Sequence, residues 1–205
     1  PLIDLGGKPM VQRVYEQAMR SNAARVIVAT DDERVMSAVK GFGGEVCMTR
    51  GDHKSGTDRL QEVCMLEAFA EDHVVVNVQG DEPLMPPAVI NQVANNLVQS
   101  GSEMATLSEG IDDIDDLLDP NIVKVTTNSN SMAMYFSRAP IPWARDEFAG
   151  GNKKLPVGIK YQRHLGIYAY RVSLLNQYVG WDQTLLEETE KLEQLRVLWH
   201  GVEIH

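Results

Sequence analysis

Residues Val74-Val75-Val76-Asn77-Val78 run directly into Gln79-Gly80-Asp81-Glu82-Pro83, and this junction carries the residue types best suited to phosphate chemistry. A β-branched run makes a buried strand, and the proline stops it. In open α/β sheets ligands bind at the carboxyl ends of strands, which is where Asp81 and Glu82 fall. Hard divalent cations such as Mg²⁺ take carboxylate oxygens and draw further ligands from substrate phosphates. Strand alternation predicts Gln79 and Asp81 on one face and Glu82 on the other, with Gly80 leaving room for a ligand close to the backbone. The same residues also read as a polar turn closing a core strand.

Other segments carry weaker signals. Asp52-His53-Lys54-Ser55-Gly56-Thr57-Asp58-Arg59 gathers a glycine, hydroxyls and cations at a helix start, where backbone N–H groups and the helix dipole favour anions. It reads equally as a capped helix with a solvated arginine. Ser137-Arg138 and Arg163-His164 lie at strand edges, and Tyr168 shares His164's side of its strand by alternation. Arginine matches carboxylate or phosphate with a planar fork, and His and Tyr bond hydroxyls. Each alone is also an ordinary surface charge or edge aromatic. Glu187, Glu188, Glu190 and Glu193 form a mostly solvated helical face, with Glu193 of Glu193-Gln194-Leu195-Arg196 the candidate near the buried side.

The elements that must position these residues alternate. Pro9 opens a helix with Met10, Val14 and Ala18 on its apolar face. Strands follow at 25–30 and 45–49, separated by a helix that Thr30-Asp31-Asp32-Glu33 begins with a capping box. Ser55-Gly56-Thr57-Asp58 caps a helix to about residue 70, and two prolines begin another over 86–99. This order predicts a parallel, doubly wound sheet with right-handed crossovers. In the second half, 112–119 reads as a short acidic helix, 122–127, 133–137 and 165–170 as strands, and 184–199 as one long amphipathic helix. The Pro- and Gly-rich stretch 140–160 reads as an excursion or subdomain.

Bulk properties fit an ordinary globular chain: 205 residues, 43% hydrophobic and 23% charged. A formal net charge of −10 disfavours nucleic acid or an anionic membrane as partner. No apolar run is long enough for a membrane span, so no membrane insertion is expected. Two cysteines, Cys47 and Cys64, make neither a disulfide scaffold nor a zinc knuckle; core thiols and a cytoplasmic protein are expected. The chain opens at Pro1 without the strand expected before its first helix. Val202-Glu203-Ile204-His205 begins a strand pattern and stops, which suggests a piece of a longer protein.

Taken together, Val28-Ala29-Thr30-Asp31-Asp32, His53-Lys54-Ser55-Gly56-Thr57-Asp58-Arg59, Asn77-Val78-Gln79-Gly80-Asp81-Glu82-Pro83, Tyr135-Phe136-Ser137-Arg138, Arg163-His164-Leu165-Gly166-Ile167-Tyr168 and Leu192-Glu193-Gln194-Leu195-Arg196 closely resemble the 3-deoxy-manno-octulosonate (Kdo) cytidylyltransferase family, in order and along essentially the whole chain. The resemblance implies transfer of CMP from CTP to Kdo for lipopolysaccharide synthesis, with release of pyrophosphate. It implies a Rossmann-like, mostly parallel α/β sheet of the nucleotide-diphospho-sugar transferase type, Mg²⁺ dependence and a homodimer. It implies one nucleotidyltransferase domain over 1–205, with residues 130–170 as a smaller dimerisation and sugar-binding excursion. By matched positions, Asp81 would be the catalytic Mg²⁺ ligand and Ser55 and Arg59 would contact CTP. Gln79, Arg138, His164, Tyr168 and Glu193 would hold Kdo. The family's phosphate-binding loop would precede Pro1, and a second metal-binding Asp would follow His205. Two other readings stay open: a cytidylyltransferase for a sialic acid or an amino-Kdo, and a non-catalytic piece that keeps the sugar pocket.

Overall fold

A computed structural model of the chain describes residues 1–149 and 154–205; residues 150–153 of the expected excursion lie outside the described residues. The elements run α1 (Met10–Ala18), β1 (Ile27–Thr30), α2 (Glu33–Gly41), β2 (Glu45–Met48), α3 (Gly56–Leu66), β3 (Val74–Asn77), α4 (Pro87–Ser100), β4 (Met104–Gly110), α5 (Ile114–Leu118), β5 (Lys124–Thr127), β6 (Ala133–Ser137), α6 (Arg145–Phe148), β7 (Gln162–Arg171), α7 (Val172–Tyr178), α8 (Leu185–Glu190) and α9 (Gln194–Trp199). They divide into two compact units, Pro1–Ala105 with Ile167–Gly180 and Thr106–Gly166 with Trp181–His205.

In the first unit β1 and β2 pair in parallel, Ile27 opposite Glu45 through Thr30 opposite Met48, as a strand–helix–strand order requires. Their crossover helix α2 buries Val35 and Val39 with Val11 of α1, against Val28, Phe42 and Val46. Asp32 caps α2 by accepting the Arg34 N–H; the Arg34 guanidinium on the same carboxylate pushes it down to about 2. Ser55 caps α3, its Oγ accepting the Asp58 N–H at 3.1 Å. Cys47 and Cys64 are buried free thiols, and burial pushes Cys64 up to about 11.

The parallel expectation holds for β1 and β2 alone among the described strand pairs. β3 pairs antiparallel with β7, Val74 opposite Arg171 through Asn77 opposite Tyr168. The partner of β3 arrives from the far end of the sequence, not through a right-handed crossover, so parallel geometry is not imposed. The three valines of β3 are correspondingly half-buried where full burial was expected. The strand also ends early. Glu82 N–H donates to the Gln79 carbonyl at 3.1 Å, closing a turn directly after Val78. Alternation therefore cannot assign faces to Gln79, Asp81 and Glu82, all three of which are exposed.

In the second unit β5 and β6 form an antiparallel hairpin from Lys124 opposite Ser137 to Thr127 opposite Ala133. Asn128 Oδ1 accepts the N–H groups of Asn130 and Met132, and Ser131 takes a left-handed φ of 61° to close the turn. Ile111, Leu117, Ala144, Phe148 and Tyr161 make a core here; full burial of a side chain such as Leu117 contributes roughly 1.5–3 kcal/mol. The single helix expected over 184–199 is instead α8 and α9, broken at Lys191 with φ 55°. Nine residues of continuous helix would put Glu187 and Arg196 on opposite faces. The break folds them together: Arg196 Nε donates to Glu187 Oε2 at 2.7 Å and Nη2 to Oε1 at 2.6 Å. Leu185 is 72% exposed, while Leu192 and Leu195 are buried. No helix among the described residues is long and apolar enough to cross a membrane.

Candidate functional site

Within the first unit the expected nucleotide contacts sit at strand ends. Arg59 projects from the first turn of α3; its Nη1 donates to Thr49 Oγ1 at 2.6 Å and its Nη2 lies 3.2 Å from Asp31 Oδ2. Thr49 follows β2 and Asp31 follows β1, and the Thr49 N–H donates to the Thr30 carbonyl at 2.9 Å. A single guanidinium thus spans the carboxyl ends of the two parallel strands, beside the Ser55-capped start of α3. The Arg59 guanidinium holds the Asp31 carboxyl below its usual range. Ser55 and Arg59 are partly buried, an arrangement that sets the start of α3 beside a guanidinium held by Asp31 and Thr49.

The loop into α3 is pinned from below by a residue that sequence reasoning passed over. Glu62, one helical turn beyond Arg59, accepts the Arg50 N–H at 3.0 Å and lies 2.5 Å from His53 Nε2. The His53 imidazole holds the Glu62 carboxyl below its usual range, against the opposing effect of burial. His53 faces inward, 5% exposed at its side chain, so it anchors the loop. Its sequence signal was Glu62 three residues after Arg59, on one helical face.

Asp81 and Gln79 stand exposed on the turn after β3, and Tyr168 lies on β7 opposite Asn77, its ring stacked 5.9 Å from Tyr170. Among the described residues no group of three or more His, Cys, Asp or Glu is placed to hold a metal. The donors present still fit Mg²⁺, which is held by one or two hard carboxylates together with water and substrate phosphates. They do not build an all-protein cage.

Arg138, His164 and Glu193 belong to the second unit. Arg138 Nε donates to the Glu190 carbonyl at 2.7 Å and Nη1 to the Pro120 carbonyl at 2.9 Å. His164 Nε2 lies 2.9 Å from Thr106 Oγ1, and its ring meets Phe136 edge-on with centroids 5.1 Å apart. Burial pushes His164 down to about 4, so the ring is neutral at pH 7 and suited to bonding hydroxyls. Glu193 corrects its expectation: it is exposed at the start of α9 instead of on the buried side. Glu187, expected on the solvated face, is the buried acid, 2% exposed, and completes the capping box with Thr184. Glu190, from the same expected face, is drawn onto Ser137 and Arg138.

Residues 1–204 match the family model described as Cytidylyltransferase. The chain is 56% identical over 206 residues to the 3-deoxy-manno-octulosonate cytidylyltransferase of Pseudomonas fluorescens strain Pf-5, covering all of this chain and 81% of that protein. It is 57% identical over 205 residues to the enzyme of the same name from Vibrio cholerae serotype O1, with the same coverage. Among solved structures it is similar to a CMP:2-keto-3-deoxy-manno-octonic acid synthetase complexed with CTP, at 41% identity and a TM-score of 0.90, over 100% of this chain and 80% of that one. A nucleotidyl transferase from Methanothermobacter, 14% identical with a TM-score of 0.56 over 99% of this chain and 71% of that one, shares the fold alone.

Proposed function

Because this chain belongs to the 3-deoxy-manno-octulosonate cytidylyltransferase family, we propose that it transfers CMP from CTP to the anomeric hydroxyl of Kdo, releasing pyrophosphate. The observation that carries this reading is Arg59, held by Asp31 and Thr49 across the carboxyl ends of β1 and β2 at the capped start of α3. That geometry supports a triphosphate site, because a fixed cation and helix N–H groups together favour phosphate. Ser55 and Arg59 bind the nucleotide. By their matched positions Gln79, Arg138, His164, Tyr168 and Glu193 contact the acid sugar; Arg138 takes its carboxylate and neutral His164 a hydroxyl.

The sugar hydroxyl forms a bond to the α-phosphorus as the bond to the pyrophosphate oxygen breaks, and the hydroxyl proton passes to solvent. No covalent enzyme intermediate is needed, so the residues act by positioning and by fixed charge. Asp81 would hold Mg²⁺, which when bound supplies neutralisation of phosphate charge. A role in lipopolysaccharide synthesis, a cytoplasmic location and a homodimer in which residues 130–170 carry dimerisation and sugar contacts complete the reading. The test is to incubate the full-length protein with CTP, Mg²⁺ and Kdo. Pyrophosphate released in step with CMP-Kdo supports the proposal, and none released sinks it.

A further inference from the structure

Arg138 is held from two sides within the second unit. On one side Glu190, the last residue of α8, makes three bonds to the end of β6. Its Oε1 accepts the Ser137 hydroxyl at 2.7 Å, its Oε2 accepts the Arg138 N–H at 2.9 Å, and its carbonyl accepts Arg138 Nε at 2.7 Å. On the other side the Pro120 carbonyl accepts Arg138 Nη1 at 2.9 Å. The turn that carries Pro120 is itself fixed from beneath. Lys124, fully buried, donates from Nζ to the Asp119 carbonyl at 2.8 Å and the Ile122 carbonyl at 2.5 Å.

The chemistry of this arrangement is specific. The guanidinium is aimed by neutral carbonyls, so its orientation is fixed while no carboxylate among the described residues sits on the same nitrogens. The Glu190 carboxylate spends both oxygens on a hydroxyl and a backbone N–H. A cation so held is suited to an anionic ligand, because little side-chain freedom remains to be lost on binding.

We propose that Glu190 is a positioning residue for Arg138, and that the Lys124-pinned Pro120 turn is the opposite wall of the same clamp, together aiming the guanidinium at the sugar carboxylate. This rests on the proposed function above, in which Arg138 binds the acid sugar.

The test measures initial rates of the full-length protein with CTP and Kdo varied separately. Glu190→Gln is expected to raise the KM for Kdo about tenfold, the cost of a misaligned charged hydrogen bond, with the KM for CTP unchanged. In an Arg138→Ala background the same change should add less than about twofold, since coupled residues are not additive. Ser137→Ala, which removes one of the three bonds with little change in shape, should raise the Kdo KM in the same direction and serves if Glu190→Gln does not fold. Equal shifts in both KM values, an unchanged Kdo KM, or full additivity with Arg138→Ala would overturn the proposal. A wild-type protein that releases no pyrophosphate from CTP and Kdo overturns the functional reading itself, a result separate from an active enzyme whose variants behave in those ways.

Discussion

Arg59 and Asp31 meet across the carboxyl end of β1, guanidinium Nη2 3.2 Å from carboxylate Oδ2, while the same arginine reaches Thr49 at the end of β2. The pair turns a helix residue into a strap over two parallel strands. Asp31 keeps a side-chain exposure of 42%, so the ion pair itself adds little stability and its value lies in aim. Asp31→Asn should raise the KM for CTP roughly fivefold, about 1 kcal/mol, with kcat and the unfolding midpoint nearly unchanged. Steady-state kinetics with CTP varied checks this, and an unchanged KM would detach Asp31 from the nucleotide.

The Glu187–Arg196 pair belongs to stability instead. Both groups are buried, 2% and 11% exposed at their side chains, in bidentate contact. Arg196→Leu leaves an uncompensated buried carboxylate and should cost about 3–5 kcal/mol in urea unfolding. Glu187→Leu with Arg196→Leu should recover much of that loss. If the single and double variants unfold alike, the pair is not coupled as its geometry indicates.

His164 gives a pH dependence with a definite sign. Its folded value of about 4 lies below the ordinary 6.5 because burial disfavours the imidazolium. Above pH 6.5 the ring is neutral in both states and its contribution is fully present. As pH falls from 6.5 toward 4 the unfolded chain takes up a proton that the folded chain refuses. Stability should then drop by up to about 1.4 kcal/mol per pH unit from this group. Urea midpoints between pH 7.5 and 4.5 check it, and His164→Gln should flatten the slope. A wild-type midpoint that stays level over that range would contradict the assignment.

Asp81 is the sequence's first candidate and stands exposed in the structure. Asp81→Asn should lower kcat at least about 100-fold at saturating Mg²⁺, on the scale of a lost electrostatic contact in a transition state. Titrating Mg²⁺ against rate in both proteins checks it. Normal turnover in the variant would remove Asp81 from the metal site.

What could be read from the sequence was local. Ser55 announces its helix because its side chain lies three residues before the N–H it accepts, whereas the capping box expected from Thr30 to Glu33 gives way to Asp32, which accepts the Arg34 N–H. The strands expected at 122–127 and 133–137 are present as β5 and β6, joined through a polar turn at Asn128. What escaped was set over distance. The break at Lys191 brings Glu187 onto Arg196, a pairing that helical periodicity forbids and therefore cannot suggest. Glu190 looks like any solvated glutamate until β6 is seen beside it, 52 residues away in sequence. The antiparallel setting of β3 likewise depends on β7, almost 100 residues later, so an order of strands and helices read locally gave the wrong sense. Gln79 and Asp81 kept their interest for a different reason from the one alternation offered: they sit on a turn, not on one face of a strand.

The proposed reaction stands or falls on Kdo as its acid sugar. The most direct measurement compares pyrophosphate release from CTP by the full-length protein with Kdo, an amino-Kdo and a sialic acid at equal concentrations. Expected is a kcat/KM for Kdo at least about tenfold above either alternative, the discrimination that a few placed polar contacts supply. A higher value for the sialic acid or the amino-Kdo would contradict it.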